Sequence, residues 1–147
     1  MQLIQLIQSS QSNCLINMPV LEIFVICVFA CLGALTRWQL GVMFNALEPI
    51  PLGTLACNLM GGYLVGVCVG VFNTFPQIDP LWRLALVTGF MGSLTTFSSF
   101  SAEVISMVTS ARWFLALGTI GIHLFGSLIL TFLGIKSVST VVAQLNV

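Results

Sequence analysis

Apolar residues along the chain collect into four long runs separated by short polar punctuation. The runs extend from about Val20 to Phe44, Leu52 to Phe72, Leu81 to Val108 and Trp113 to Ile135. Each exceeds the roughly 20 helical residues needed to cross a hydrocarbon core about 30 Å thick. Helix-breaking signals fall between them: Pro49 and Pro51 precede the second run, Asn73 and Pro76 follow it, and Asp79-Pro80 opens the third. The connections EPIP, NTFPQIDP and TSAR are too short to hold a soluble domain, which places the function inside the membrane. The pattern predicts an all-α integral membrane protein, with a four-helix transmembrane domain over residues 20–136 and a C-terminal tail over 137–147. Residues 1–19, MQLIQLIQSSQSNCLINMP, read as a polar extension. They lack the basic start and longer apolar run of a secretory signal. With Met18 just ahead of the first span, this segment is expected to be disordered or the product of an upstream start.

Composition sharpens the picture. Of 147 residues, 58% are hydrophobic and 5% charged, against about 25% charged in a soluble domain. Eight charges cannot coat a water-soluble globule, so lipid is the solvent for most of the chain. A net charge of zero gives no footing for nucleic acid. Among the basic residues, Arg37 and Arg112 fall on one side of the membrane and Arg83 and Lys136 on the other. Two against two sets no orientation by the positive-inside rule. Such a bundle is free to insert both ways, which would permit an antiparallel homodimer with its two-fold axis in the membrane plane. The other reading is that a single charge or a partner subunit sets the topology. The five cysteines form no CxxC pair and no zinc-like cluster, and Cys27 and Cys31 read as small packing residues.

The polar residues inside the spans carry the functional signal. In the second span Gly62, Gly66 and Gly70 recur every four residues, a spacing that lets helix backbones approach closely in lipid. Thr54 and Asn58 share the same interval. An amide in hydrocarbon needs a partner, so Asn58 either bonds another helix or lines a pathway. In the fourth span Thr119, His123, Ser127 and Thr131 form an i, i+4 series on one face, read as a wetted or ligand-facing track.

The third span contains GFMGSLTTFSSFSAE, Gly89 to Glu103. Gly89 and Gly92, followed by Ser93, Thr95 and Thr96, predict a helix broken at mid-membrane. Such a break is tolerated only where it is buried in protein or lines a cavity. The first half would offer carbonyls around Gly92 and Ser93 to a cation, and the second half N–H groups near Thr96 to an anion. Phe97, Phe100 and Glu103 then recur every three residues, and the positive ring edges of the phenylalanines suit an anion. An intramembrane carboxylate such as Glu103 is costly and usually functional. Arg37, the other deep charge, is either a pairing partner or an electrostatic lure at a pore mouth. A lining of amide, hydroxyls, ring edges and backbone N–H groups favours a small anion over a cation.

These segments resemble a known family. GALTRW, PLGTLACNLMGGYLVG and GFMGSLTTFSSFSAE are similar to the signature segments of the Fluc (CrcB) fluoride channels, over roughly Glu22 to Lys136. The resemblance implies a fluoride-selective passive channel in the bacterial inner membrane that exports fluoride and lowers its toxicity. It also implies a dual-topology antiparallel homodimer, or a paralogue heterodimer, with two pores. By the motif match Phe97 and Phe100 would be the pore phenylalanines and Asn58 the amide beside them. Thr95, Ser98 and Ser99 would be hydroxyls near the path, Glu103 a carboxylate deeper in the helix, and Arg37 the basic residue near the vestibule. His123, Ser127 and Thr131 would form the polar track. A structural sodium ion at the dimer centre would be held by the backbone carbonyls of Ser93 and Thr96. Ser93 departs from the glycine common at that position.

Two other readings compete. A small dual-topology proton-coupled cation or drug antiporter would rely on a carboxylate deep in the first helix, whereas Glu22 stands at its end. A non-transporting anchor subunit would account for the glycine faces but not for the broken helix or the polar track. No nucleophile and base, metal cluster or cofactor fingerprint points to an enzyme.

Overall fold

The computed structural model describes residues 20–45 and 51–145. The N-terminal extension and most of the first connection therefore lie outside the described residues. Among the described residues four helices are long and apolar enough to cross a membrane: Val20–Phe44, Leu52–Thr74, Pro80–Thr109 and Trp113–Gln144. We label Val20–Phe44 α1 and Leu52–Thr74 α2. The third span divides into α3 (residues 80–94) and α4 (Phe97–Thr109), and Trp113–Gln144 is α5. The starts and ends lie within two residues of the sequence expectation, apart from the last. There α5 continues nine residues past Ile135 to Gln144, so residues 137–144 are helical. The reason is packing: Gly70 of α2 leaves room for Val138, whose side chain a Cβ on Gly70 would meet at 2.9 Å. At 32 residues α5 is about 48 Å long, so it outreaches the hydrocarbon core.

Local chemistry sets the helix ends. Pro51 precedes α2 and offers no side-chain cap. Instead Asn45 reaches across the connection, its Oδ1 accepting from the N–H groups of Gly53 at 2.8 Å and Thr54 at 3.3 Å. Asp79 caps α3 by accepting from the Leu81 N–H at 2.8 Å, with Pro80 in the first turn, where a missing N–H costs nothing. α4 ends with bonds from Arg112 N–H to Met107 O and from Ala111 N–H to Val108 O. This is a Schellman closure, and it puts Ala111 at φ 58°, a position usually held by glycine.

The glycines bring backbones together. A Cβ on Gly66 would fall on the Thr131 carbonyl, and one on Gly134 on the Tyr63 carbonyl, so α2 and α5 interlock along one seam. Gly33 of α1 faces the Phe90 carbonyl of α3, and Gly89 of α3 faces Phe29 and Ile26 of α1. Gly89 is thus a packing residue between α1 and α3 rather than a breaker. Residues 84–91 form wide π-type turns and 92–94 an α turn. Gly92 itself is helical at φ −61°, ψ −29°. The break comes later, at Thr95 (φ −78°, ψ 149°) and Thr96 (φ −146°, ψ 117°), both extended.

Candidate functional site

The extended pair Thr95–Thr96 interrupts the helix ladder, and side chains take over its hydrogen bonds. Thr95 turns its hydroxyl back to the Met91 carbonyl at 2.9 Å. The Thr96 hydroxyl accepts from the Ser99 N–H at 3.1 Å and so caps α4, while lying 3.2 Å from the Ser98 hydroxyl. The Ser93 hydroxyl donates to the Gly89 carbonyl at 2.6 Å. Asn58, projecting from α2, closes the break. Its Oδ1 accepts from Thr96 N–H at 2.8 Å and its Nδ2 donates to Thr96 O at 3.0 Å. The same Nδ2 lies 3.1 Å from His123 Nδ1 on α5. The anion-attracting N–H expected at Thr96 is therefore engaged by Asn58.

Two surfaces meet at this break, one largely apolar with a few polar groups and one charged. One is an open groove of about 760 Å³ whose lining includes Asn58, Thr95, Phe97, Phe100, His123 and Ser127, with Thr131 at its far end. Phe97 is 79% exposed, its ring 5.6 Å from that of Phe100, and Phe100 in turn lies 4.6 Å from the His123 ring. The other is a cavity of about 520 Å³ lined by Arg37, Asn45, Thr54, Ser99 and Glu103 among others. Thr96 lines both. Most of the sequence-predicted residues thus separate into an aromatic and imidazole side and a charged side, with the broken backbone as the wall between them, while Ser93 and Ser98 line neither.

On the charged side, Thr54 donates to Glu103 Oε1 at 2.5 Å. Glu103 Oε2 is buried without a partner among the described residues. Arg37 lines the same cavity. On the other side the hydroxyl track is unequal. Thr119 is buried, and its hydroxyl lies 3.5 Å from the Met107 sulfur. Thr131 donates to Ser127 O at 2.8 Å and to Gly62 O at 3.0 Å, which ties α5 to α2. Thr54 and Asn45 were not among the expected site residues. Thr54 carried a signal, four residues before Asn58 on the same helical face, whereas Asn45 acts across a connection that no periodicity describes.

Four apolar spans, with polar groups gathered at a break in the third, define a multi-pass helical membrane protein whose working surface lies within the bilayer. Residues 24–135 match the family described as CrcB-like protein, Camphor Resistance (CrcB), and the chain belongs to that family. It is 57% identical over 123 residues to a protein of Albidiferax ferrireducens named fluoride-specific ion channel FluC, covering 84% of this chain and 95% of that one. A protein of the same name from Variovorax paradoxus is 57% identical over 84% of this chain and 98% of its own length. One from Pseudomonas aeruginosa is 49% identical over 80% and 94%.

Proposed function

We propose that this chain forms a passive, fluoride-selective channel that lets fluoride leave the bacterial cytoplasm across the inner membrane. The observation that carries the reading is the broken third span with Phe97, Phe100, Ser127 and His123 along one groove, in a chain 57% identical to proteins named fluoride-specific ion channels. Neutral HF crosses membranes and dissociates in a more alkaline cytoplasm, which traps the anion. A pore then lets the membrane potential expel it, at about 2.3 kcal/mol per charge per 100 mV. Coupling machinery is unnecessary. Rejecting chloride is the harder task, and closely spaced donors in a narrow path favour the smaller anion. Arg37 draws anions to the charged cavity. Phe97 and Phe100 present ring edges, and Ser127 a hydroxyl, along the groove.

The working unit is a dual-topology antiparallel homodimer. Two observations support it: the groove is open along its length, with Phe97 79% exposed, and the basic residues balance across the membrane. Pairing with a paralogue would close the groove in the same way. A structural sodium ion fits the end of α3. The helix stops at Leu94, so the carbonyls of its last turn, Ser93 among them, lose their helical partners. Thr96 O accepts from Asn58 and, as the carbonyl of the residue before α4, from the first turn of that helix, so a cation would be a third partner there and Ser93 O is the freer of the two. Ser93 lies in right-handed helical backbone, so a serine there imposes no strain on its carbonyl. Two carbonyls per chain leave a cation under-coordinated, and a second copy supplies the rest. When bound, the ion contributes fixed positive charge at the dimer centre.

Fluoride efflux from liposomes holding only this purified chain, followed with a fluoride electrode and with chloride run in parallel, tests the proposal. Fast fluoride release without matching chloride release is expected. Folded, reconstituted protein that releases neither ion, or both equally, would defeat it.

A further inference from the structure

The hydrogen bonds around Asn58 fix more than the helix break. Thr96 N–H needs an acceptor and finds Asn58 Oδ1 at 2.8 Å, which decides which end of the amide is oxygen. Nδ2 then faces Thr96 O at 3.0 Å with one hydrogen and His123 Nδ1 at 3.1 Å with the other. An amide NH₂ has no lone pair to offer, so Nδ1 must be the acceptor. The imidazole proton must therefore sit on Nε2. His123 is only 6% exposed, and its Nε2 is buried without a hydrogen-bonding partner among the described residues. The ring lies against Phe100 and lines the groove. A buried, unpaired donor is costly to maintain unless something comes to accept from it.

We infer that Asn58 is a positioning residue, and that the donor an anion meets beside Phe100 is the Nε2–H of His123, held in that tautomer by Asn58. Both Asn58 Nδ2 hydrogens are committed to protein groups, so Asn58 acts through the imidazole and the Thr96 backbone rather than by touching the ion. The chain of constraint begins at the break itself. Because Thr96 is extended, its N–H leaves the helix ladder and orients Asn58, and Asn58 orients His123. The donor role rests on the fluoride-channel reading; the tautomer does not.

His123 is the sole histidine of the chain, so ¹⁵N-histidine labelling of the full protein in bilayers reports one site. The spectrum is expected to show Nε2 protonated and Nδ1 bare. Fluoride should shift the Nε2–H signal while equal chloride leaves it in place, and Asn58→Ala should give a mixture of tautomers. In liposomes His123→Gln, which sets an amide near the Nε2 position, should keep fluoride flux within about fivefold of the wild type. His123→Asn, which sets one near Nδ1 only, should lose tenfold or more. A proton on Nδ1 would overturn the inference. So would an Nε2–H signal indifferent to fluoride in a chain that conducts it, the result expected if a second copy's acceptor already holds that proton. The expected tautomer in a chain that neither conducts fluoride nor responds to it would uphold the positioning role of Asn58 and remove the donor role together with the channel reading.

Discussion

Replacing Gly66 with alanine adds one methyl group where α2 and α5 touch backbone to backbone. The new Cβ would overlap the Thr131 carbonyl oxygen and stand 2.9 Å from its carbon and 3.0 Å from Thr131 Cα. Ordinary contact begins near 3.4 Å, so the overlap with the carbonyl oxygen forces the helices apart by about 1 Å. Neither partner is the end of a flexible side chain, and the neighbouring contacts resist the movement. A Cβ on Gly134 would meet Val67 N at 2.9 Å, and one on Gly62 would meet Ser127 O at 3.1 Å, so the same seam is equally close on both sides. Overpacking of this kind costs about 1–3 kcal/mol. Stretching the 3.0 Å bond from Thr131 to Gly62 O forfeits about 0.6 kcal/mol more, against a gain of up to about 1 kcal/mol for alanine over glycine in a helix. A net loss of about 0.6–2.6 kcal/mol follows, roughly three- to eightyfold in the unfolding equilibrium. Reversible unfolding in bicelles measures it. The control is Gly118→Ala, where a Cβ meets nothing within 4 Å and the variant should match or exceed wild-type stability. Because one opening of the seam admits both methyls, Gly66→Ala with Gly134→Ala should cost less than the two separately, by about 0.5 kcal/mol or more. A Gly66→Ala protein as stable as the Gly118→Ala control would refute the reasoning.

Other outcomes follow from single contacts. Phe100→Ile removes the ring between Phe97 and His123 and should reduce fluoride flux in liposomes at least tenfold, with the protein folded; unchanged flux would exclude the ring from the path. Thr54→Val takes away the hydrogen bond that Glu103 makes among the described residues and should destabilise the protein by about 1.5–3 kcal/mol, while Thr54→Ser stays near wild type in the same unfolding assay. Ala111→Gly relieves a left-handed residue at the end of α4 and should raise stability by about 0.5–1 kcal/mol; a loss instead would mean that the turn draws its stability from the alanine methyl.

The four spans were legible in the sequence because lipid imposes a coarse rule. A helix that crosses it must be long and apolar, and Pro, Asn and Asp mark where it stops. The interval of Gly62, Gly66 and Gly70 likewise announced close packing without naming the partner, which is α5. The presence of a break in the third span could be read from GFMGSLTTFSSFSAE, but its position could not. Glycines looked like the weak points, yet Gly89 and Gly92 are helical and the chain opens at Thr95–Thr96. Propensity lost to tertiary structure because Asn58, 38 residues away in the chain, supplies the hydrogen bonds that an extended threonine needs. The extension of α5 to Gln144 was hidden for a similar reason, since residues 137–144 owe their helix to α2 as much as to their own polarity pattern. The grouping of the site was equally beyond one-dimensional reach. Ser99 and Glu103 share α4 with Phe97 and Phe100, but the helix turns them to opposite sides of the Thr96 wall, one facing Arg37 and the other His123. Composition and periodicity are properties of each segment alone, and they determined that this chain spans a membrane and where. Which polar group meets which depends on distances between segments, and those exist only once the helices have packed.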